Sequence, residues 1–217
     1  MTITAAADGS ALGNPGPAGW AWYVDDSCWA AGGWPESTNN RGELTAVLEL
    51  LRATARSGQG EELLIQCDSQ YVINSLTKWR HGWKRRGWRK ADGRPVLNDD
   101  LMRELDAALT GRAVRFEWVR GHVGHPMNEA ADSRARAAAT AYQQGRAVPA
   151  GPGWTRGPSG TGGQGVAPSA PGAGTIGAAS SAGSAGADAG QAGVAEVVPG
   201  ATAARRARLR QEGGTLF

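Results

Sequence analysis

Four acidic residues stand where a carboxylate needs a reason. Asp8 follows the extended run Thr2–Ala7, and Asp68 follows Glu61–Cys67, the most apolar strand-like stretch of the chain. Glu43 falls in the first turn of an amphipathic helix, and Asp132 falls about two turns into a helix that begins near Pro126. Acids placed just past buried strands are costly unless they are solvated or hold cations. If the two strands are neighbours, Asp8 and Asp68 lie side by side, and helices packed on that face add Glu43 and Asp132. Four such charges repel one another, and divalent cations or raised pKa values are the usual ways to hold them. Hard oxygen donors without cysteine favour Mg²⁺ or Mn²⁺ over zinc. Two such ions about 4 Å apart can activate a water and stabilise the leaving oxygen in phosphodiester hydrolysis. Spacing alone leaves open that each acid is a cap or a surface residue.

Residues 120 to 132 are the densest stretch in chemistry. Gly121 and Gly124 punctuate a loop carrying His122 and His125, and Pro126 suits the first turn of a helix, where its missing N–H is not needed. The two histidines followed by a carboxylate suggest a histidine metal site. Cysteine partners are lacking and three other carboxylates are available, so Asp132 is the ligand expected here and His125 a scaffold residue of the loop.

These residues need elements to hold them. Ala18–Val24 and Cys28–Trp34 read as a hairpin around Asp25-Asp26-Ser27, so three antiparallel strands open the chain. Ser37-Thr38-Asn39-Asn40 offers N-caps for a helix with Leu44, Val47, Leu48 and Leu51 at helical spacing. Helical pieces are expected over Tyr71–Leu76 and Trp79–Trp88, then an amphipathic helix over Asn98–Leu109, a strand over Ala113–Val119 and an alanine-rich helix over Pro126–Gln143. That order predicts an α/β domain, a mixed sheet with helices packed on it.

Composition bounds the domain. Between residues 151 and 200, 36 of 50 positions are Gly, Ala, Ser or Pro, so that segment cannot supply a core. The expected division is a catalytic domain over 1–145, a disordered linker over 146–201 and a basic C-terminal segment over 202–217. Cys28 and Cys67 form no C-x-x-C pattern, which argues against a disulfide framework or a structural zinc. No apolar run approaches a membrane span and no signal-peptide pattern opens the chain, so a cytoplasmic monomer is expected.

The motifs Asp8-Gly9-Ser10 and Gly13-Asn14-Pro15-Gly16-Pro17, Thr38-Asn39-Asn40-Arg41-Gly42-Glu43-Leu44, Asp68-Ser69-Gln70-Tyr71-Val72, and Gly121-His122-Val123-Gly124-His125-Pro126 with Asn128, Glu129 and Asp132 occur in that order. Together, over residues 2 to 143, they closely resemble the bacterial type I ribonuclease H family. The resemblance implies a ribonuclease H-like fold with a five-stranded mixed sheet. It implies hydrolysis of the RNA strand of RNA–DNA hybrids with Mg²⁺, leaving 5′-phosphate and 3′-hydroxyl ends. It makes Asp8, Glu43, Asp68 and Asp132 the metal-binding carboxylates, and His122 a loop histidine that assists proton transfer or product release. It places Asn14, Asn39 and Gln70 against the RNA strand near its 2′-hydroxyls, and Thr38 and Asn98 in a pocket for a DNA phosphate. Some relatives carry an arginine two residues before that threonine; here the position is Glu36.

Eight basic residues, Lys78, Arg80, Lys84, Arg85, Arg86, Arg89, Lys90 and Arg94, sit between positions 78 and 94 with only Asp92 opposing them in that run. The run suggests a polyanion partner and looks like the family's basic protrusion. Trp79, Trp83 and Trp88 are interleaved with it. Their spacing fits one helical face buried against the core, while the protrusion reading has Trp79 and Trp83 packing on a sugar or base beside Lys84, Arg85, Arg86 and Arg89 on phosphates. At the C-terminus, Gly213-Gly214-Thr215-Leu216-Phe217 is vaguely similar to peptides that dock on bacterial sliding clamps, although the glutamine that opens such peptides is absent. The competing readings are a non-catalytic hybrid-binding module and a related nuclease of the same fold.

Overall fold

Along β2 (Gly16–Asp25), Trp20, Trp22 and Val24 alternate with Gly19, Ala21 and Tyr23, so this strand has one bulky face and one small face. That asymmetry decides where helices can go. The computed structural model describes residues 2–55, 61–121 and 124–156. β1 (Thr2–Ala11), β2 and β3 (Cys28–Ser37) form an antiparallel meander, followed by α1 (Asn39–Thr54) and β4 (Glu62–Cys67). Next come α2 (Gln70–Asn74), a π-helical turn (Ser75–Trp79), α3 (Arg80–Arg85), α4 (Asp99–Leu109), β5 (Val114–Trp118) and α5 (Pro126–Gln143).

The sheet has the order β3-β2-β1-β4-β5, with β4 parallel to both β1 and β5. It is the five-stranded mixed sheet expected for the chain. On the bulky face, Trp20, Trp22 and Val24 join Leu44, Val47, Leu48 and Leu51 of α1 and Leu101, Met102 and Leu105 of α4 in the main core. On the other face, Ala21 and Ala31 meet Ala135 and Ala138 of α5 in a smaller cluster. Small residues on both sides let α5 lie close to the sheet.

Three local features differ from expectation. β1 does not stop before Asp8 but continues to Ala11, because β2 offers partners as far as Ala18, and Asp8 itself pairs with Ala21. The helical stretch expected to reach Trp88 ends at Arg85. Gly87 and Trp88 then take positive φ, and the reversal buries the Trp88 indole in the main core, where its carbonyl accepts from Val96 N–H at 3.0 Å. Glu43 lies beyond the first turn of α1.

The packed chain also runs past the boundary expected at residue 145. Val148 packs on the alanine cluster, the Ala150 carbonyl accepts from Ala31 N–H at 3.0 Å, and Gly153 N–H donates to the Trp29 carbonyl at 2.9 Å. Trp154 then packs on the opposite face, its ring 6.3 Å from Trp22, and Arg156 pairs with Asp25 at 2.7 Å. Residues 146–156 therefore form a strap that crosses the β3 edge from one layer to the other. A methyl at Gly151 would meet the Trp29 carbonyl at 2.5 Å, so a small residue is needed where the strap turns. The expected linker from 157 to 201 and the basic segment from 202 to 217 lie outside the described residues.

Trp154→Ala should destabilise the full chain by about 1–3 kcal/mol, because it removes a half-buried aromatic and its packing on Trp22. Chemical denaturation measures this. A change within roughly 0.3 kcal/mol would show that the strap adds nothing to the domain.

Candidate active site

The carboxylates are brought together by backbones that touch. A methyl group at Gly9 would lie 2.2 Å from the amide nitrogen of Glu43 and 2.6 Å from the Gly42 carbonyl carbon, so the start of α1 rests directly on β1. On the opposite face, a methyl at Gly19 would lie 2.1 Å from the Ala135 carbonyl oxygen, so α5 rests on β2 in the same way. Asp8 adjoins the first of these approaches, and Asp132 lies one turn before Ala135. β1 and β4 pair in parallel with Ala6 opposite Gln66. Continuing that register by two residues brings Asp8 level with Asp68. After β5, Gly121 allows the chain to pass against Asp68, since a methyl there would meet Asp68 Oδ2 at 2.2 Å.

The electrostatics follow from this crowding. Asp8 is only 5 % exposed and accepts a hydrogen bond from the Gly9 N–H at 2.7 Å. Burial pushes its pKa up to about 8, the charge of Asp68 adds to the push, and Asp132 and Glu43 contribute less. Burial likewise pushes Glu43 up to about 7, opposed by a hydrogen bond from Ser69 and reinforced by Asp68. Glu43 is held at both oxygens: Asn39 Nδ2 donates to Oε1 at 2.8 Å and Ser69 Oγ donates to Oε2 at 2.6 Å. Ser69 also caps α2 through the Val72 N–H, so one hydroxyl ties the β4–α2 junction to the α1 carboxylate.

Such a cluster suits hard divalent cations, because every donor is oxygen and two of the acids are uncomfortable without a counter-charge. Among the described residues, no three His, Cys, Asp or Glu side chains are gathered closely enough to hold an ion alone. Mg²⁺ tolerates this, since it keeps several waters and commonly binds through one or two carboxylates plus phosphate oxygens.

The positions around the cluster divide into groups. Asn14 Oδ1 accepts from the Asn39 N–H at 3.4 Å, which joins the β1–β2 loop to the start of α1. Gln70 is exposed at the first residue of α2. Thr38 is the N-cap of α1 and accepts from the Arg41 N–H at 3.3 Å. Asn98, left-handed at φ 54°, accepts from Arg41 Nη1 at 3.4 Å, and the same guanidinium pairs with Asp100 at 2.6 Å. Thr38, Arg41 and Asn98 thus form one surface group, while Glu36 is exposed at the end of β3. His122 lies outside the described residues. The His125 Nδ1 is buried without a hydrogen-bond partner, and its carbonyl accepts from Glu129 N–H at 3.0 Å.

In the basic segment, Trp88 is core, Trp83 is half-buried and Trp79 is 42 % exposed, with the Trp79 and Trp83 rings 5.7 Å apart. Arg85, Arg86 and Arg89 are exposed. Lys84 is exposed too but pairs with Asp106 at 2.6 Å, and Arg80 pairs with the same carboxylate at 2.9 Å. Sequence reasoning missed Asp106, which comes from α4 and carries no local signal. It also missed the part that Asn39 and Ser69 play in holding Glu43. The four-residue spacing of Asn39 and Glu43 on a helix is the available clue.

Known proteins similar to this chain share its family and fold. The family model described as RNase H matches residues 1–140. The chain is 57% identical over 153 residues to the Ribonuclease H of Tropheryma whipplei (strain Twist), covering 70% of this chain and 94% of that protein. It is 44% identical over 147 residues to the Ribonuclease H of Paracoccus denitrificans, covering 64% and 93%. Among solved structures, LC9-RNase H1, described as a type 1 RNase H with the type 2 active-site motif, aligns with a TM-score of 0.55 at 32% identity, covering 70% of this chain and 77% of that one.

A raised acid pKa means that the folded chain keeps a proton which the unfolded chain has released, so stability falls as pH rises from about 4 to about 8. Without divalent cations, Asp8→Asn should therefore be more stable than the native chain at about pH 8 by at least roughly 1 kcal/mol, the difference fading near pH 4. Added Mg²⁺ should raise the melting temperature of the native chain more than that of the variant. Thermal denaturation with chelator and with Mg²⁺ measures both, and equal native and variant stability at the higher pH would contradict the charge-crowding account.

Proposed function

The chain belongs to the ribonuclease H family, and from that membership we propose that Asp8, Glu43, Asp68 and Asp132 hold two divalent cations for in-line hydrolysis of the RNA strand of RNA–DNA hybrids. It is a ribonuclease H, and the family supports endoribonuclease activity on such hybrids. The observation that carries the finer reading is the buried Asp8, charge-crowded by three acids on three other segments. A lone structural acid would be solvated or paired with a cationic side chain.

Bound at this cluster, two Mg²⁺ ions, or Mn²⁺ in their place, would favour ionisation of the attacking water and offset charge on the departing 3′-oxygen. The protein's part is positioning. Asn39 and Ser69 hold Glu43 from both sides, so its oxygens are aimed before substrate arrives. Cleavage between phosphorus and the 3′-oxygen gives 5′-phosphate and 3′-hydroxyl ends. Asn14, Asn39 and Gln70 fit positions against the RNA strand near its 2′-hydroxyls, which double-stranded DNA lacks. Thr38 and Asn98 fit a DNA phosphate, while Arg41 beside them is already paired with Asp100. His122 is assigned proton transfer to the leaving oxygen or product release. Among the described residues no helix is long and apolar enough to cross a membrane. A cytoplasmic monomer is part of this proposal; a sliding-clamp partner for the terminal Leu216-Phe217 rests on sequence alone.

A labelled hybrid in Mg²⁺ tests the reading. The native chain should cut it, and Asp68→Asn should lose more than about 100-fold in rate, the scale that even the outer partners of metal ligands reach when changed. Both proteins binding and neither cutting would indicate a binding module, and equal cutting would show Asp68 misassigned. Neutralising Lys84, Arg85, Arg86 and Arg89 together should weaken hybrid binding and flatten its salt dependence by about 0.9 in slope for each phosphate no longer neutralised. An unchanged slope would remove the basic segment from the interface.

A further inference from the structure

Gln70, Ile73 and Asn74 share one helical face through the spacings i, i+3 and i+4. In an uninterrupted α-helix, at about 100° per residue, the next residue on that face would be Thr77. The π-helical turn at Ser75–Trp79 widens the coil by one residue and brings Lys78 there instead, while the Thr77 hydroxyl folds back to the Ile73 carbonyl at 2.6 Å. Gln70, Ile73, Asn74 and Lys78 line an open groove of about 320 Å³, and Trp118 lines it from the end of β5.

The groove begins at the carboxylate cluster. The Trp118 indole N–H donates to the backbone carbonyl of Asp68 at 3.0 Å, which fixes the ring, yet the residue is 50 % exposed. A large aromatic held rigid with half its surface in water offers a platform. Lys78 is exposed, and among the described residues no carboxylate lies within ion-pair distance of it, unlike Arg80 and Lys84 with Asp106. An aromatic face, two amides and an uncompensated cation in one groove match the chemistry of a single nucleic-acid strand: a base or sugar to pack on, polar edges to bond, and a phosphate to pair.

We propose that this groove is a subsite for the RNA strand of the hybrid, next to the cleavage position, with Trp118 packing on a ribose or base, Gln70 and Asn74 bonding its edges, and Lys78 pairing with a phosphate. The proposal rests on the hybrid-cleaving reading and extends it to one strand. The RNA strand is the occupant because the groove runs from Gln70 and from Asp68, which adjoin the bond to be cut.

The test measures binding of a labelled hybrid to the full chain in chelator as a function of salt, for the native protein, Lys78→Gln, Trp118→Phe and Trp118→Ala. Lys78→Gln should weaken binding about 3- to 10-fold and lower the salt slope by about 0.9, one phosphate's worth. Trp118→Ala should weaken it by about 10-fold or more, the scale of a removed base stack, with Trp118→Phe retaining most of the affinity. Because Trp118 also supports Asp68, Lys78→Gln is the deciding variant, its side chain being exposed. Replacing single RNA-strand phosphates near the cleavage position by neutral methylphosphonates should cancel the effect of Lys78→Gln at one linkage. Cancellation by a DNA-strand replacement instead would overturn the assignment to RNA. A native chain that cuts the hybrid while Lys78→Gln keeps native affinity and slope overturns the subsite alone, whereas a native chain that neither binds nor cuts overturns the functional reading beneath it.

Discussion

Backbone against backbone is the packing on which the site depends. At Gly9 and Gly19 the helices α1 and α5 touch neighbouring strands from opposite faces with no side chain between them. Glycine at these positions costs conformational entropy on folding, and in return two helix axes approach the sheet more closely than any larger residue permits. Glu43 and Asp132 reach Asp8 only from there. The alanine face of α5, Ala131, Ala135 and Ala138, serves the same end, trading the greater burial energy of leucines for proximity.

The site is a local liability in a fold stabilised elsewhere. Trp20, Trp22, Leu44, Leu48, Leu51 and Leu105 build a continuous apolar layer on one side of the sheet, whereas burial, with the charge of Asp68 added, raises the pKa of Asp8 and Glu43. Strand alternation keeps Asp8 out of that layer: Ala5 and Ala7 point into it, and Asp8 points away. The site draws on both surfaces, Glu43 brought by α1 from the apolar side and Asp132 by α5 from the other.

Much of this is legible in the letters because alternation and helical spacing are local. The hairpin of β2 and β3, α1 with its Thr38 cap, β4 ending before Asp68, and the helix from Pro126 all follow from residues within a few positions of one another. What cannot be read involves partners distant in sequence or a change in helical pitch. The strap reads as linker because Gly151, Pro152 and Gly153 are chain-breaking residues, and only the β3 edge gives Trp154 something to cover. Asp106 faces Arg80 and Lys84 across a helix–helix packing, so a segment opposed within its own run only by Asp92 is partly neutralised. The π-helical turn has no residue signature, and it decides which of Thr77 and Lys78 faces the groove.

The strap also bears on how the molecule behaves in company. β3 is an outer strand of the sheet, and an outer strand with free amides and carbonyls is a template on which another chain can add itself. Here the Ala31 N–H and the Trp29 carbonyl are already engaged by Ala150 and Gly153. At the other margin, β5 is five residues long and carries Arg115 and Glu117 outward, engaged with Glu62 and Gln66. One margin is partly covered by the strap, and the other is short and charged. The same few residues that close the β3 side therefore occupy backbone groups that strand addition would use.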